Sequence, residues 1–249
     1  MGEHPEFRNP PIKEAIIDIQ ISTPEFDVSK LYAKDQLVEF GFSECKPLFS
    51  NEFILKSDGN GFIQDGDPKK ALIGYRFDCE EDGFVAQFRK SGFTFSKVGP
   101  YCGWETFRNR AKQLWSVYAG LIQDFKFRRI AVRYINILEL PFEDSGKVEV
   151  SNYLVNDPKT PIGLPNDFSG FFSKVDVNIA ELKSVAVVTQ APQERKGDVL
   201  PVVLDIDVFR LAAEQFTENE AWEFIEKLRV VKNDAFVGSI TDQMKERFN

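Results

Sequence analysis

Histidine is nearly missing from this chain: the single one, His4, sits in the N-terminal leader. Catalysis by a core imidazole is thereby excluded, and a His-ligated metal site nearly so. Cysteine is scarce as well. Cys45, Cys79 and Cys102 are odd in number, far apart and form no CxxC pair. Zinc and thioredoxin-like chemistry lack support, and three reduced thiols in a cytoplasmic protein are expected. Long apolar runs are absent and mean hydropathy is −0.28, so no transmembrane helix is expected. The opening residues MGEHPEFRNPP carry no apolar segment of the signal-peptide kind. Phosphate-cradling GxGxxG and GxxxxGK patterns and the hydrolase GxSxG are missing too. Basic residues are outnumbered, 31 against 39, for a net charge of −8. Non-specific nucleic-acid binding needs clustered Lys and Arg that release counterions, so this balance argues against it.

Apolar residues make up 43% of the 249, and phenylalanine alone accounts for 24. That composition belongs to an ordered chain able to bury a sizeable core. Ile17, Ile19 and Ile21 alternate with polar residues and predict a strand over 14–22. Asp27 is placed to cap a short helix over 27–41. The Gly-rich stretch 57–70 reads as a mobile connection. ALIGYRFD (71–78), FVAQFRK (84–90) and FTFSKV (93–98) predict an antiparallel meander. Trp104, Phe107, Ala111, Leu114, Trp115, Tyr118 and Ile122 recur at helical spacing and predict a helix over 104–123. A long strand follows over 127–140. Ile130, Val132, Tyr134, Asn136 and Leu138 share one of its faces, and Arg129, Arg133, Ile135 and Ile137 the other. Further strands are predicted at 170–180, 184–191 and 200–211. Thr217 and Glu220 form a capping-box pattern that opens a last helix over 217–246, with a bend at Asn233.

The expected class is α+β: mainly antiparallel sheet packed against two long amphipathic helices. Pro158, Pro161 and Pro165 mark 142–167 as a boundary. Two similar halves, 1–141 and 142–249, are expected to form one rigid unit.

Three stretches, YCGWETF (101–107), RRIAVRYIN (128–136) and VLDIDVF (203–209), carry a resemblance, as do the leader NPPIKEAIIDIQ and the tail AFVGSITDQM. In this order the chain resembles, over essentially its whole length, a sporadically distributed, uncharacterised prokaryotic family. The resemblance carries over no catalytic residues. It implies a setting among mobile or defence-linked genes.

Three constellations could carry chemistry. Asp205 and Asp207 lie at i and i+2 on a strand, so both carboxylates project from one sheet face, as Mg²⁺ or Mn²⁺ binding requires. Asp176 and Asn178 repeat the spacing. The bland alternative is a sheet face on which these carboxylates meet Arg129 and Arg133, and it weighs more. Arg129 and Arg133, with Arg128, Tyr134 and Asn136 nearby, could hold a phosphate or carboxylate. Internal salt bridging is the competing reading. Gly103 and Trp104 open a helix whose N-terminus could receive an anion, against the simpler assignment of turn geometry and core packing. Cys102, next to that terminus, is placed for a lowered thiol pKa, yet no partner supports a nucleophile.

These observations favour a non-enzymatic interaction or regulatory subunit, in a prokaryotic defence or toxin–antitoxin system as the resemblance implies. It needs no cofactor and works through a protein partner or self-association, away from membranes. The alternatives are a metal-dependent nuclease or nucleotide-processing enzyme using Asp205, Asp207 and Asp176 with Mg²⁺ or Mn²⁺, and a nucleotide or RNA sensor using Arg129, Arg133, Asn136 and Trp104.

Overall fold

The computed structural model describes residues 7–52, 55–57, 62–64, 69–164, 170–211 and 216–249. His4 and parts of 57–70 lie outside them. The first half runs β1 (Ile12–Ser22), α1 (Lys34–Val38), β2 (Glu44–Glu52), β3 (Leu55–Ser57), β4 (Phe62–Gln64), β5 (Lys69–Cys79), β6 (Phe84–Arg89), β7 (Gly92–Val98) and α2 (Trp104–Ile122). Then come β8 (Lys126–Pro141), β9 (Ser173–Ile179), β10 (Ser184–Pro192), β11 (Val199–Leu211), α3 (Glu218–Ser239) and α4 (Asp242–Glu246).

The chain is α+β with a mainly antiparallel sheet. Nine strands pair in the order β2-β5-β6-β7-β1-β8-β11-β10-β9, and β3 and β4 form a separate ribbon within 57–70 and its approach. From the β1–β8 pair outward the order is a palindrome: β7, β6, β5 on one side answer β11, β10, β9 on the other. Each side repeats one connection, a central strand, then a three-strand meander, then a long helix. Among the described strands of the nine-stranded sheet, β2 is the one without a counterpart.

Alternation places the large buried apolar residues of the central strands on one sheet face. Ala15, Ile17 and Ile19 of β1 stand beside Phe95 and Phe93 of β7 on one side and Tyr134, Val132 and Ile130 of β8 on the other. At Ile21 the pairing shifts and skips Arg128, which brings Phe127 onto the same face. The two long helices cover it, α2 against β7 and α3 against β8, β10 and β11. Trp115 of α2 is the pivot of an aromatic cluster: its ring lies 5.7 Å from Phe93 and stacks 5.8 Å from Phe127. No described helix is long and apolar enough to cross a membrane.

Gly92 begins β7 where the backbone of β1 passes close by. A Cβ there would sit 2.3 Å from the carbonyl oxygen of Ile19, a clash that backbone cannot yield to cheaply.

Two local expectations need correction. The helix expected over 27–41 is broken into a 3-10 turn, Val28–Leu31, and the five-residue α1. Asp27 does cap the turn, accepting from the Ser29 amide at 3.0 Å, but Tyr32 is extended and interrupts the run. The last helix does not bend at Asn233, which lies inside α3. It breaks at Ile240, which turns extended to bridge Leu154. Thr241 then caps α4 and donates its hydroxyl to the Asn152 carbonyl at 2.6 Å.

The α3 capping box is present in full: the Glu220 amide donates to the Thr217 hydroxyl, and the Thr217 amide to the Glu220 carboxylate. Thr217→Ala removes the hydroxyl that accepts from the Glu220 amide, leaves the residue-217 amide free to donate to Glu220, and is expected to cost about 1 kcal/mol in chemical unfolding. A loss below the error of the measurement would mean that packing alone holds the end of α3.

Candidate functional site

The sheet has one face under helices and one without any described cover. Arg129, Arg133, Asp205, Asp207 and Asp176 all lie on the uncovered face, and the geometry there is one of mutual neutralisation. Arg133 grips Asp205 with two nitrogens, at 2.8 and 2.5 Å. Arg129 bridges two carboxylates, reaching Asp207 at 2.6 Å and Asp18 at 3.0 Å. Arg89 closes the chain onto Asp18 at 3.2 Å. This lattice crosses β6, β1, β8 and β11, so the paired groups fix the relative positions of the strands. Burial pushes the Asp207 carboxyl up, against the pull of Arg129 and Arg133. The bond to Asp205 pushes the Arg133 guanidinium up.

Asp176 stands apart. It lies on the same face, two strands from Asp207 through Val187, and pairs with Lys174 at 3.5 Å. No group of three or more His, Cys, Asp and Glu side chains able to hold a metal ion occurs among the described residues. A site for Mg²⁺ or Mn²⁺ would therefore need Asp205 and Asp207 to leave their arginine partners.

Trp104 and Asn136 lie elsewhere, on the helix side, and they do come together. They line a cavity of about 540 Å³ between α3, β8, the start of α2 and the leader. The Asn136 carboxamide is fixed by donating to the Leu204 carbonyl at 3.0 Å. Tyr134, its neighbour two residues back on β8, shares a hydrogen bond of 2.7 Å with the Tyr101 hydroxyl. Burial drives the Tyr101 phenol up to about 12, and the Tyr134 phenol well above its ordinary value. Trp104 donates its indole N–H to Glu226 at 2.8 Å, and Arg108 takes the other oxygen of that carboxylate at 2.6 Å. Cys102 corrects the expectation of a lowered thiol: burial pushes it up.

Two further residues complete the cavity, and neither was singled out from the sequence. Arg229 lies over the Trp104 ring, 5.2 Å from its centroid. Lys232 is buried, with its ammonium nitrogen 3.8 Å from the centroid of the Tyr134 ring. Burial, and then the charge of Arg229, lower the Lys232 amine to about 7. The sequence did hold a signal. Leu228, Lys232 and Phe236 follow at i+4 spacing, so a charge interrupts the apolar stripe of α3.

No protein-family model matches this chain, and no curated protein matches it in sequence.

Proposed function

We propose that this chain is a non-catalytic interaction or regulatory protein that engages another polypeptide by adding a strand at the outer edge of β9. The observation that carries this reading is the asymmetry of the palindromic sheet. The outer edge of β5 is occupied by β2, whereas β9, its counterpart, ends the sheet among the described residues. A terminal strand offers a row of backbone donors and acceptors to a partner. On its helix-side face Val175 and Val177 remain exposed, at 46% and 43%. An added strand with its own cover would bury them.

A second copy of the chain fits this edge. Antiparallel pairing about Val175 sets Val175 against its twin and sets each Lys174 opposite the other copy's Asp176. Opposite charges facing across strands stabilise pairing by about 0.2–1 kcal/mol per pair. The Arg–Asp lattice supports binding over hydrolysis, since Asp205 is already gripped by Arg133 and Asp207 by Arg129, although the Asp207 Oδ1 has no hydrogen-bond partner among the described residues. The resemblance carried by YCGWETF, RRIAVRYIN and VLDIDVF supports a setting among mobile or defence-linked prokaryotic genes.

Sedimentation equilibrium tests the reading. The wild type is expected to dimerise at micromolar concentration and Lys174→Asp to weaken the dimer. The double exchange Lys174→Asp/Asp176→Lys is expected to restore it. A wild type that stays monomeric at high concentration, or a double exchange no better than Lys174→Asp, would sink strand pairing at β9.

A further inference from the structure

Lys232 is the least expected residue in the molecule. It occupies the centre of the α3 face that packs on the sheet, where an apolar side chain of similar length would be cheaper to bury. Among the described residues no hydrogen bond or ion pair holds its amine, and its contact is with the Tyr134 ring. Arg229, one turn earlier, points into the same cavity. Arg8 adds a third cation from the leader, and no Asp or Glu lines the cavity among the described residues. Glu226 is held by Trp104 and Arg108. Among the described residues the cavity therefore concentrates positive charge without a carboxylate, and walls it with the rings of Tyr101, Trp104, Tyr134 and Phe236.

We infer that this cavity is a binding site for a small phosphomonoester bearing a planar ring, of the size and chemistry of a nucleoside monophosphate. The phosphate would sit between Lys232 and Arg229, and the ring against the aromatic wall. Charge selects the head group. A phosphomonoester carries about −1.5 to −2 at neutral pH, which balances two cations, whereas a carboxylate leaves one uncompensated. Size selects the class. The volume lies in the range of roughly 300–1,000 Å³ usual for small-molecule pockets, and the leader, with Phe7 packed on Phe236 and Phe248, crosses beside the cavity. A polymer does not fit such a space.

Protonation makes the inference testable beyond affinity. The polar and aromatic groups that line the cavity with Lys232 are Tyr134 and Asn136 from β8, Tyr101 and Trp104 from the entry to α2, Arg229 from α3 and Arg8 from the leader. None of these described groups carries negative charge at neutral pH. A dianion arriving beside the amine favours its charged form, so binding above neutral pH must take up a proton from solvent.

Isothermal titration calorimetry on the full chain would use adenosine monophosphate, inorganic phosphate and adenosine as separate probes, at pH 8 in buffers of differing ionisation enthalpy. Adenosine monophosphate is expected to bind tightest and inorganic phosphate more weakly, while adenosine alone should bind little. Wild-type binding is expected to take up a fraction of a proton, and Lys232→Met none. Loss of one charge-assisted contact, in Lys232→Met or Arg229→Gln, should weaken adenosine monophosphate by about tenfold or more. Lys174→Asp, on the distant sheet edge, should leave it unchanged, which separates this site from the association at β9. The assignment falls if no probe binds at millimolar concentration, or if adenosine matches its monophosphate. It falls equally if inorganic phosphate matches the nucleotide, or if Lys232→Met binds and takes up protons like the wild type.

Discussion

Replacing Lys232 by methionine is expected to make the protein more stable. The amine is brought from an ordinary value of 10.5 down to about 7 by burial, with Arg229 adding to the effect. Each unit of that displacement is worth about 1.4 kcal/mol, so the charged amine disfavours folding by on the order of 3 kcal/mol once solvent penetration is allowed for. Methionine keeps the length and removes the charge. The sign of the pH dependence follows from proton counting. Between about pH 7 and the ordinary lysine value, the unfolded chain holds more protons at this position than the folded one, so raising the pH favours the folded wild type. The advantage of Lys232→Met should be full at and below neutral pH and should shrink steadily toward about pH 10. Urea unfolding of both proteins across that range measures it. A variant less stable than the wild type at neutral pH, or a gap that does not move with pH, would show that Lys232 is held by something other than the Tyr134 ring.

Trp115→Ala should produce the largest loss. Trp115 is 1% exposed and touches the rings of Phe93, Tyr118, Phe125 and Phe127. Those residues belong to β7, α2 and the entry to β8, so the indole joins one flank of the sheet to its centre. Truncation removes the transfer energy of a large ring and leaves a cavity that several rigid rings cannot close, a loss of about 3–5 kcal/mol. Its N–H also loses the Glu218 carboxylate at 3.0 Å, a tie between the two long helices. Equilibrium unfolding followed by both helix and tryptophan signals measures the effect. A loss under about 1.5 kcal/mol would mean that the aromatic cluster relaxes around the gap. Non-coincident transitions would mean that the two sides of the sheet unfold separately.

Much of the architecture was legible because it depends on local periodicity. The alternation around Ile17, Ile19 and Ile21 required a strand with one apolar face, and β1 has that face under the helices. Trp104 through Ile122 could bury its rings on one side only as a helix. Thr217 and Glu220 announced the start of α3 by chemistry confined to four residues. Where the reading failed, a distant contact had overruled local preference. Ile240 leaves the helical path to bridge Leu154, far away in sequence, and nothing near Ile240 encodes that meeting. Asn233 looked like a helix breaker by type, but α3 runs through it unbroken to Ser239.

The candidate sites divide along the same line. That Asp205 and Asp207 share a face, and that Arg129 and Arg133 share one, follows from the two-residue repeat of a strand. Whether these two faces are the same face, on adjacent strands, is a matter of sheet order. Only the placement of β11 beside β8 turned these four candidate site residues into two ion pairs.

The sequence by itself determined the class, the strands and long helices, and the shortage of imidazole that turned attention toward binding. Those properties reside in composition and in intervals of a few residues. The tertiary structure alone decided that β9 ends the sheet while β5 does not. It also decided that Lys232 faces Tyr134 with no counter-ion among the described residues, and that Trp104 and Asn136, separated in sequence, share one cavity with Arg229. Solvent exclusion and pairing between remote strands create those environments, and neither exists until the chain has closed.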